Sequence, residues 1–174
     1  MTHAPALTDT EYALLLRHIP HRGRPPADRR RTLDAIFHIA VTRRPWRELP
    51  GHLGRPDTAH RQLRRWMRAG VLDALLKAAA RPEFAPLRLR ICRAWRRASG
   101  LATVAQLVMA RSLRLPEALP AAPWFLPDPA LSETVRNCIS RLLKNPWAAS
   151  WREFGRLGRL LAFAGGNPRR WRRR

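Results

Sequence analysis

Asp57-Thr58-Ala59-His60-Arg61-Gln62-Leu63-Arg64-Arg65-Trp66-Met67-Arg68-Ala69-Gly70 is the stretch on which the reading of this chain turns. At about 100° per residue, Ala59, Leu63, Trp66 and Met67 share one helical face, and Arg61, Arg64, Arg65 and Arg68 share the opposite one. His60 and Gln62 lie on the borders. Asp57 reads as the N-cap and Gly70 as the residue just past the C-terminus. A charged outer face is commonly just solvated, and such faces usually mix signs. This one meets no carboxylate until Asp73. A run of guanidinium groups without counter-charge suits phosphate.

Upstream, Thr8-Asp9-Thr10-Glu11 forms a capping box ahead of Tyr12, Leu15 and Ile19, and Pro20 stops that helix. His21-Arg22-Gly23-Arg24-Pro25-Pro26 reads as a loop. Its Arg22-Gly23-Arg24-Pro25 has the form of an AT-hook core, in which a slim glycine lets two arginines lie along a narrow minor groove. An ordinary basic loop between helices is the plainer alternative. Asp28 caps a second helix with the stripe Leu33, Ile36, Phe37, Ala40 and Val41, and Pro45-Trp46-Arg47-Glu48-Leu49 reads as a short helix. Trp46 and Trp66 could stack on bases, but their apolar spacing favours the core.

Downstream, Val71 to Ala80 continues as a short helix. Leu87, Ile91, Ala94, Trp95 and Ala98 keep helical spacing, although Leu87-Arg88-Leu89-Arg90-Ile91 alone would also suit a strand. Leu101 to Leu113 reads as a helix and Pro116 to Pro129 as a break. Ser132 then starts a helix carrying Val135, Cys138, Ile139, Leu142 and Leu143. A last helix places Trp147, Trp151, Phe154 and Leu161 on one side and Arg152, Arg156 and Arg159 on the other. The tail Arg169-Arg170-Trp171-Arg172-Arg173-Arg174 suits nucleic acid, anionic lipid or a solubilising end alike. With no hairpin signal or alternating run, the expected fold is all-α: a helix-turn-helix-like N-terminal domain followed by a helical, Arg-rich extension. The expected segments are 5–80, 81–129 (ending in a Pro-rich linker) and 130–174.

Lys+Arg number 34 against 12 Asp+Glu in 174 residues, a net charge of +22. Only Lys77 and Lys144 are lysines, a bias that GC-rich coding alone can also produce. Such a charge calls for a polyanionic partner. An apolar share of 45% argues for a folded chain. Cys92 and Cys138 are too far apart for a CxxC site, and the six histidines form no HExxH, so no metal or other cofactor is expected. Nucleotide-binding and serine-hydrolase motifs are absent. The uncharged run Ala98 to Ala110 is too short to span a bilayer, and no export signal is read at Met1. Secreted disulfide scaffolds and collagen-like fibres are excluded with them.

In order and spacing, four stretches resemble the N-terminal domain of DDE-type insertion-sequence transposases. They are Leu7-Thr8-Asp9, Arg22-Gly23-Arg24-Pro25, Arg43-Arg44-Pro45-Trp46-Arg47-Glu48-Leu49-Pro50, and His60-Arg61-Gln62-Leu63-Arg64-Arg65-Trp66 with Gly70. The resemblance covers residues 5 to 80. It implies a helix-turn-helix module that binds the element's terminal inverted repeats, with double-stranded DNA as partner. Thr58, His60 and Arg61 would then read base edges, with Arg64, Arg65 and Arg68 on phosphates.

The family's catalytic part is an RNase H-like domain with three carboxylates holding two metals. Residues 81 to 174 offer only Glu83, Glu117, Asp128, Glu133 and Glu153, none at the end of a hydrophobic strand. A non-enzymatic, cytoplasmic, nucleoid-associated DNA-binding protein is therefore expected, as a truncated, domesticated or first-frame product. Its protein partner would be a second copy or a full-length transposase. The rival classes are an RNA- or ribosome-associated basic protein and a peripheral binder of anionic membranes.

Overall fold

The computed structural model describes residues 5–20, 28–145, 147 and 150–167. Arg22, Gly23 and Arg24, expected in a groove-inserting loop, and the basic tail from Arg169 lie outside the described residues. The described residues form eight α-helices and no strand. They are α1 (Asp9–Leu16), α2 (Arg29–Thr42), α3 (Pro56–Arg68), α4 (Val71–Ala79), α5 (Arg88–Ala98), α6 (Val104–Ser112), α7 (Pro129–Lys144) and α8 (Trp151–Ala164). The fold is all-α. The chain divides into two compact units, Met1–Ala102 and Thr103–Arg174. The sequence boundaries at 80 and 129 fall inside these units: residue 80 separates α4 from α5, which pack on each other, and residue 129 opens α7.

In the first unit, α2 is the central helix, with Leu33, Ala35, Ile36, Phe37, Ile39 and Ala40 all buried. Asp28 caps it by accepting from the Arg31 N–H at 2.8 Å. The Thr8–Glu11 capping box starts α1, and the Leu7 N–H donates to Asp34 Oδ1 at 2.8 Å, tying that start to α2. α5 packs along α2 and serves its C-terminal end. Arg93 Nη1 donates to the Val41 carbonyl at 2.9 Å and Arg97 Nη2 to the Arg44 carbonyl at 3.1 Å. Cations there meet the negative end of the helix dipole; Arg93 satisfies a carbonyl that the last turn leaves open, and Arg97 holds the chain just past the helix end. The choice of helix over strand for residues 87–98 holds, since Leu87, Ile91, Ala94, Trp95 and Ala98 are all buried. Trp95 is fully enclosed, and its Nε1–H donates to Asp73 Oδ1 on α4 at 2.8 Å.

In the second unit, Thr103 and Gln106 form a capping box, so α6 starts at Val104 rather than Leu101. The Pro-rich segment folds into single 3-10 turns, Pro116–Ala118 and Pro123–Phe125. Arg111 fixes its far end, donating to the Leu126 carbonyl at 2.9 Å and to Asp128 Oδ2 at 2.7 Å. Asp128 also accepts from the Leu131 N–H at 3.0 Å, so it is the cap of α7. α7 therefore begins three residues before the expected Ser132, because Pro129 suits a first helical position. The start of α8 is a Ser150–Glu153 capping box. Its C-terminal end is stitched to the Pro-rich segment: the Asp128 N–H donates to the Ala164 carbonyl at 3.0 Å, and the Asn167 N–H to the Phe125 carbonyl at 2.8 Å. Neither the aromatic nor the basic stripe of α8 is its packed face. Leu157 and Leu160 line a small cavity of about 140 Å³ with Cys138 and Leu142 of α7, so a third face is the inner one.

Candidate nucleic-acid interface

α3 opens with Pro56 in the first helical position and Arg55 as its N-cap, with no side-chain cap bond. Asp57, expected as the cap, instead lies in the first turn. Proline lacks the N–H that a first position leaves unused, so it takes that place and moves the helix start two residues upstream. Asp57 still meets the positive end of the helix dipole there. At the other end Gly70 adopts a left-handed φ of 73°, closing α3 and opening α4 in one residue.

The two faces of α3 separate as the spacing predicts. Ala59, Leu63, Trp66 and Met67 are buried against the core, whereas Thr58, Arg61, Arg64, Arg65 and Arg68 are exposed and His60 is half-buried. Arg61, Arg64, Arg65, Arg68 and Ala69 line an open concavity of about 700 Å³. Among the described residues, none of these four arginines forms an ion pair with a carboxylate. Gln62 is buried rather than on the border, and its Oε1 accepts from Arg65 Nη2. That bond aims one guanidinium while the other three stay free to follow a ligand. At about 1.5 Å rise per residue, the arginine backbones spread over about 10 Å, comparable with the width of a DNA major groove.

His60 has a built environment. Its ring centre lies 5.2 Å from that of Trp46, and the Arg97 guanidinium sits over the Trp46 ring at 5.7 Å from its centre, so Trp46 contacts both. Burial lowers the His60 pKa, and Arg64 and Arg97 lower it further by repulsion. A neutral imidazole carries one donor and one acceptor, which suits a base edge better than a phosphate. Trp66 is a core residue as expected, but Trp46 is only half-buried. It sits on a single 3-10 turn, Trp46–Glu48, laid against α3, where one ring face cannot be enclosed. Nothing local in the sequence marks Arg97 for this cluster, because it comes from α5, far along the chain.

The connection from α2 to α3 runs over residues 43–55 through two 3-10 turns, Trp46–Glu48 and Gly51–Leu53. The tight turn of this unit, Ala69-Gly70, instead joins α3 to α4. α4 buries Val71, Leu72, Leu75, Leu76, Ala78 and Ala79, which leaves little surface for contact. The cationic face thus belongs to the helix before the tight turn. In the second unit two of the carboxylates are engaged structurally, Asp128 by Arg111 and the α7 cap and Glu153 by the Ser150 cap. Among the described residues, no three His, Cys, Asp or Glu side chains are grouped to hold a metal ion. No described helix is long and apolar enough to cross a membrane.

Fold and face together define a helical unit with a cationic helix surface whose four arginines form no ion pair with a carboxylate among the described residues. Residues 7–76 match the family model described as "Putative transposase of IS4/5 family". The match supports the resemblance over that stretch, which holds α1, α2, α3 and most of α4, and residues 77–174 lie beyond it. No curated protein and no solved structure matches the chain.

Proposed function

We propose that the chain is a duplex-DNA-binding protein derived from an insertion-sequence transposase, recognising sequences such as transposon ends through α3. The observation that carries this reading is the exposed face of Arg61, Arg64, Arg65 and Arg68, held on a helix whose other face is locked into the core. Four cations on one helix face without acidic partners supply counterion release on a polyanion, the sequence-independent part of affinity. Thr58, His60 and Arg61, at the N-terminal end of the same face, supply hydrogen-bonding groups of the kind that read base edges. The family match over residues 7–76 supports DNA over other polyanions. α3 then takes the recognition-helix role, reached from α2 through the two 3-10 turns of residues 43–55 rather than through a tight turn, and a nucleoid location follows from duplex binding.

The same reading makes the protein a binder that does not cut. The test is competition: DNA carrying element ends should displace labelled duplex better than random duplex or structured RNA does. Equal affinity for all three would leave charge alone and favour an RNA- or ribosome-associated basic protein. Incubated with Mg²⁺ or Mn²⁺, the protein should neither nick nor join such ends. Metal-dependent cleavage lost on substituting Glu117, Asp128 or Glu133 would overturn that part.

A further inference from the structure

The second unit exposes an apolar surface that DNA binding by α3 does not use. On α8, Trp151 is 90% exposed, and Phe154 and Leu161 are also open to solvent. At helical spacing these three line one stripe, in which Gly155, Gly158 and Ala162 place no charge. Arg152, Arg156 and Arg159 run alongside as an exposed parallel stripe. Trp147, just before α8, is 95% exposed, and Leu143 near the end of α7 is 76% exposed. The packed face of α8 is already satisfied by α7, so the aromatic stripe is surplus to the fold.

We infer that this stripe seats the second unit on an anionic lipid surface, with α8 lying in the plane of the interface. Charge selects the occupant. Residues 103–174 carry 13 Lys+Arg against 4 Asp+Glu, so a second copy would bring like charge to a stripe flanked by arginines. A nucleic acid supplies phosphates and flat bases, but no apolar depth for Leu161 and Leu143. An anionic bilayer supplies both: headgroups for the guanidiniums, and an acyl boundary for the aromatic and aliphatic side chains. Tryptophan at such a boundary keeps its ring in the apolar layer and its N–H in the wet one. Arginines beside the stripe reach headgroups while their stems lie along the apolar layer. The described helices are too short or too polar to cross, so the contact is peripheral.

Flotation of the full-length chain with vesicles tests this. Vesicles of phosphatidylcholine mixed with phosphatidylglycerol should carry the protein, and phosphatidylcholine alone should not. The double variant Trp151→Ser/Phe154→Ser removes surface side chains only, so its thermal melt should match the parent. Its affinity for the mixed vesicles should fall about ten- to hundredfold, as expected for losing two partly buried aromatic side chains. Its affinity for duplex DNA should not change, which separates this result from failure of the α3 reading. Undiminished flotation of the double variant would mean charge alone and overturn the proposal, as would no flotation of the parent. Loss of nucleic-acid binding by the variant, or a vesicle-free dimer that the variant dissolves, would assign the stripe to another partner and equally overturn it.

Discussion

Arg61 and Arg65 sit one turn apart on α3 and should fail differently when removed. Arg61 lies toward the N-terminal end of the exposed face, near Thr58 and His60, whereas Arg65 is held by Gln62. Arg61→Ala should cost about 1–3 kcal/mol of binding and relax preference at one base position. Arg65→Ala should weaken all duplexes alike and reduce the salt slope by about one, read by titration at several salt concentrations. His60 sets a pH dependence of stability. Its folded-state pKa is lowered by burial and then by Arg64 and Arg97, so the unfolded chain binds its proton more readily. Stability from this residue is present above the ordinary histidine value and is lost as pH falls through that value toward the lowered one. Melting temperature should therefore drop on acidification in that window, and His60→Gln should flatten that part of the profile. The arginine face was legible in the sequence because a helix repeats its faces every few residues. The Trp46–His60–Arg97 cluster was not, because it joins a 3-10 turn, α3 and α5, and no local period links them.

At the level of elements, two glycines with positive φ separate backbone strain from close approach. Gly70, at φ 73°, turns α3 into α4, and an added Cβ would meet only Asp73 Oδ2 at 4.0 Å. Gly70→Ala should cost about 1–2 kcal/mol, the left-handed penalty of an L-residue. Gly166, at φ 65°, follows α8, and a Cβ there would fall 2.6 Å from the Leu126 backbone carbon and the Phe125 oxygen. Gly166→Ala should therefore cost more, detaching the end of α8 from residues 125–128. Hydrogen exchange at the amides of α4 and α8 would read the two losses separately. The capping boxes at Thr8 and the caps at Asp28 and Gly70 could be placed from sequence because their signals are local. The Asp128-Pro129 start of α7 is a local signal too, masked by the apolar pattern that becomes regular only from Ser132 onward. The inner face of α8 could not be placed, because it depends on which of three stripes α7 covers.

Across the whole molecule, charge and selectivity should come apart. Residues 1–80 carry 15 cations against 7 acids, a net +8, and residues 81–174 carry 19 against 5, a net +14. Phosphate is the same at every step of a duplex, so the more basic part adds affinity without sequence information. The full chain should show a steep salt dependence, with a logarithmic slope of about −0.9 per phosphate neutralised. Neutralising Arg136, Arg152, Arg156 and Arg159 should flatten that slope while leaving the order of preferred sequences intact. The all-helical class was legible from periodicity alone. The division after residue 102 was not, because α5 looks like part of the basic extension in sequence and becomes core against α2 and α4 only in three dimensions. The central claim is that the exposed face of α3 selects DNA by sequence. It is tested most directly by selecting genomic duplex fragments with the full chain and with its Thr58→Ala/Arg61→Ala variant at matched salt. The account predicts that the parent enriches a shared sequence and that the variant binds duplex but loses or alters that enrichment. Fragments bound without any shared sequence, or the same sequence enriched equally by both proteins, would contradict it.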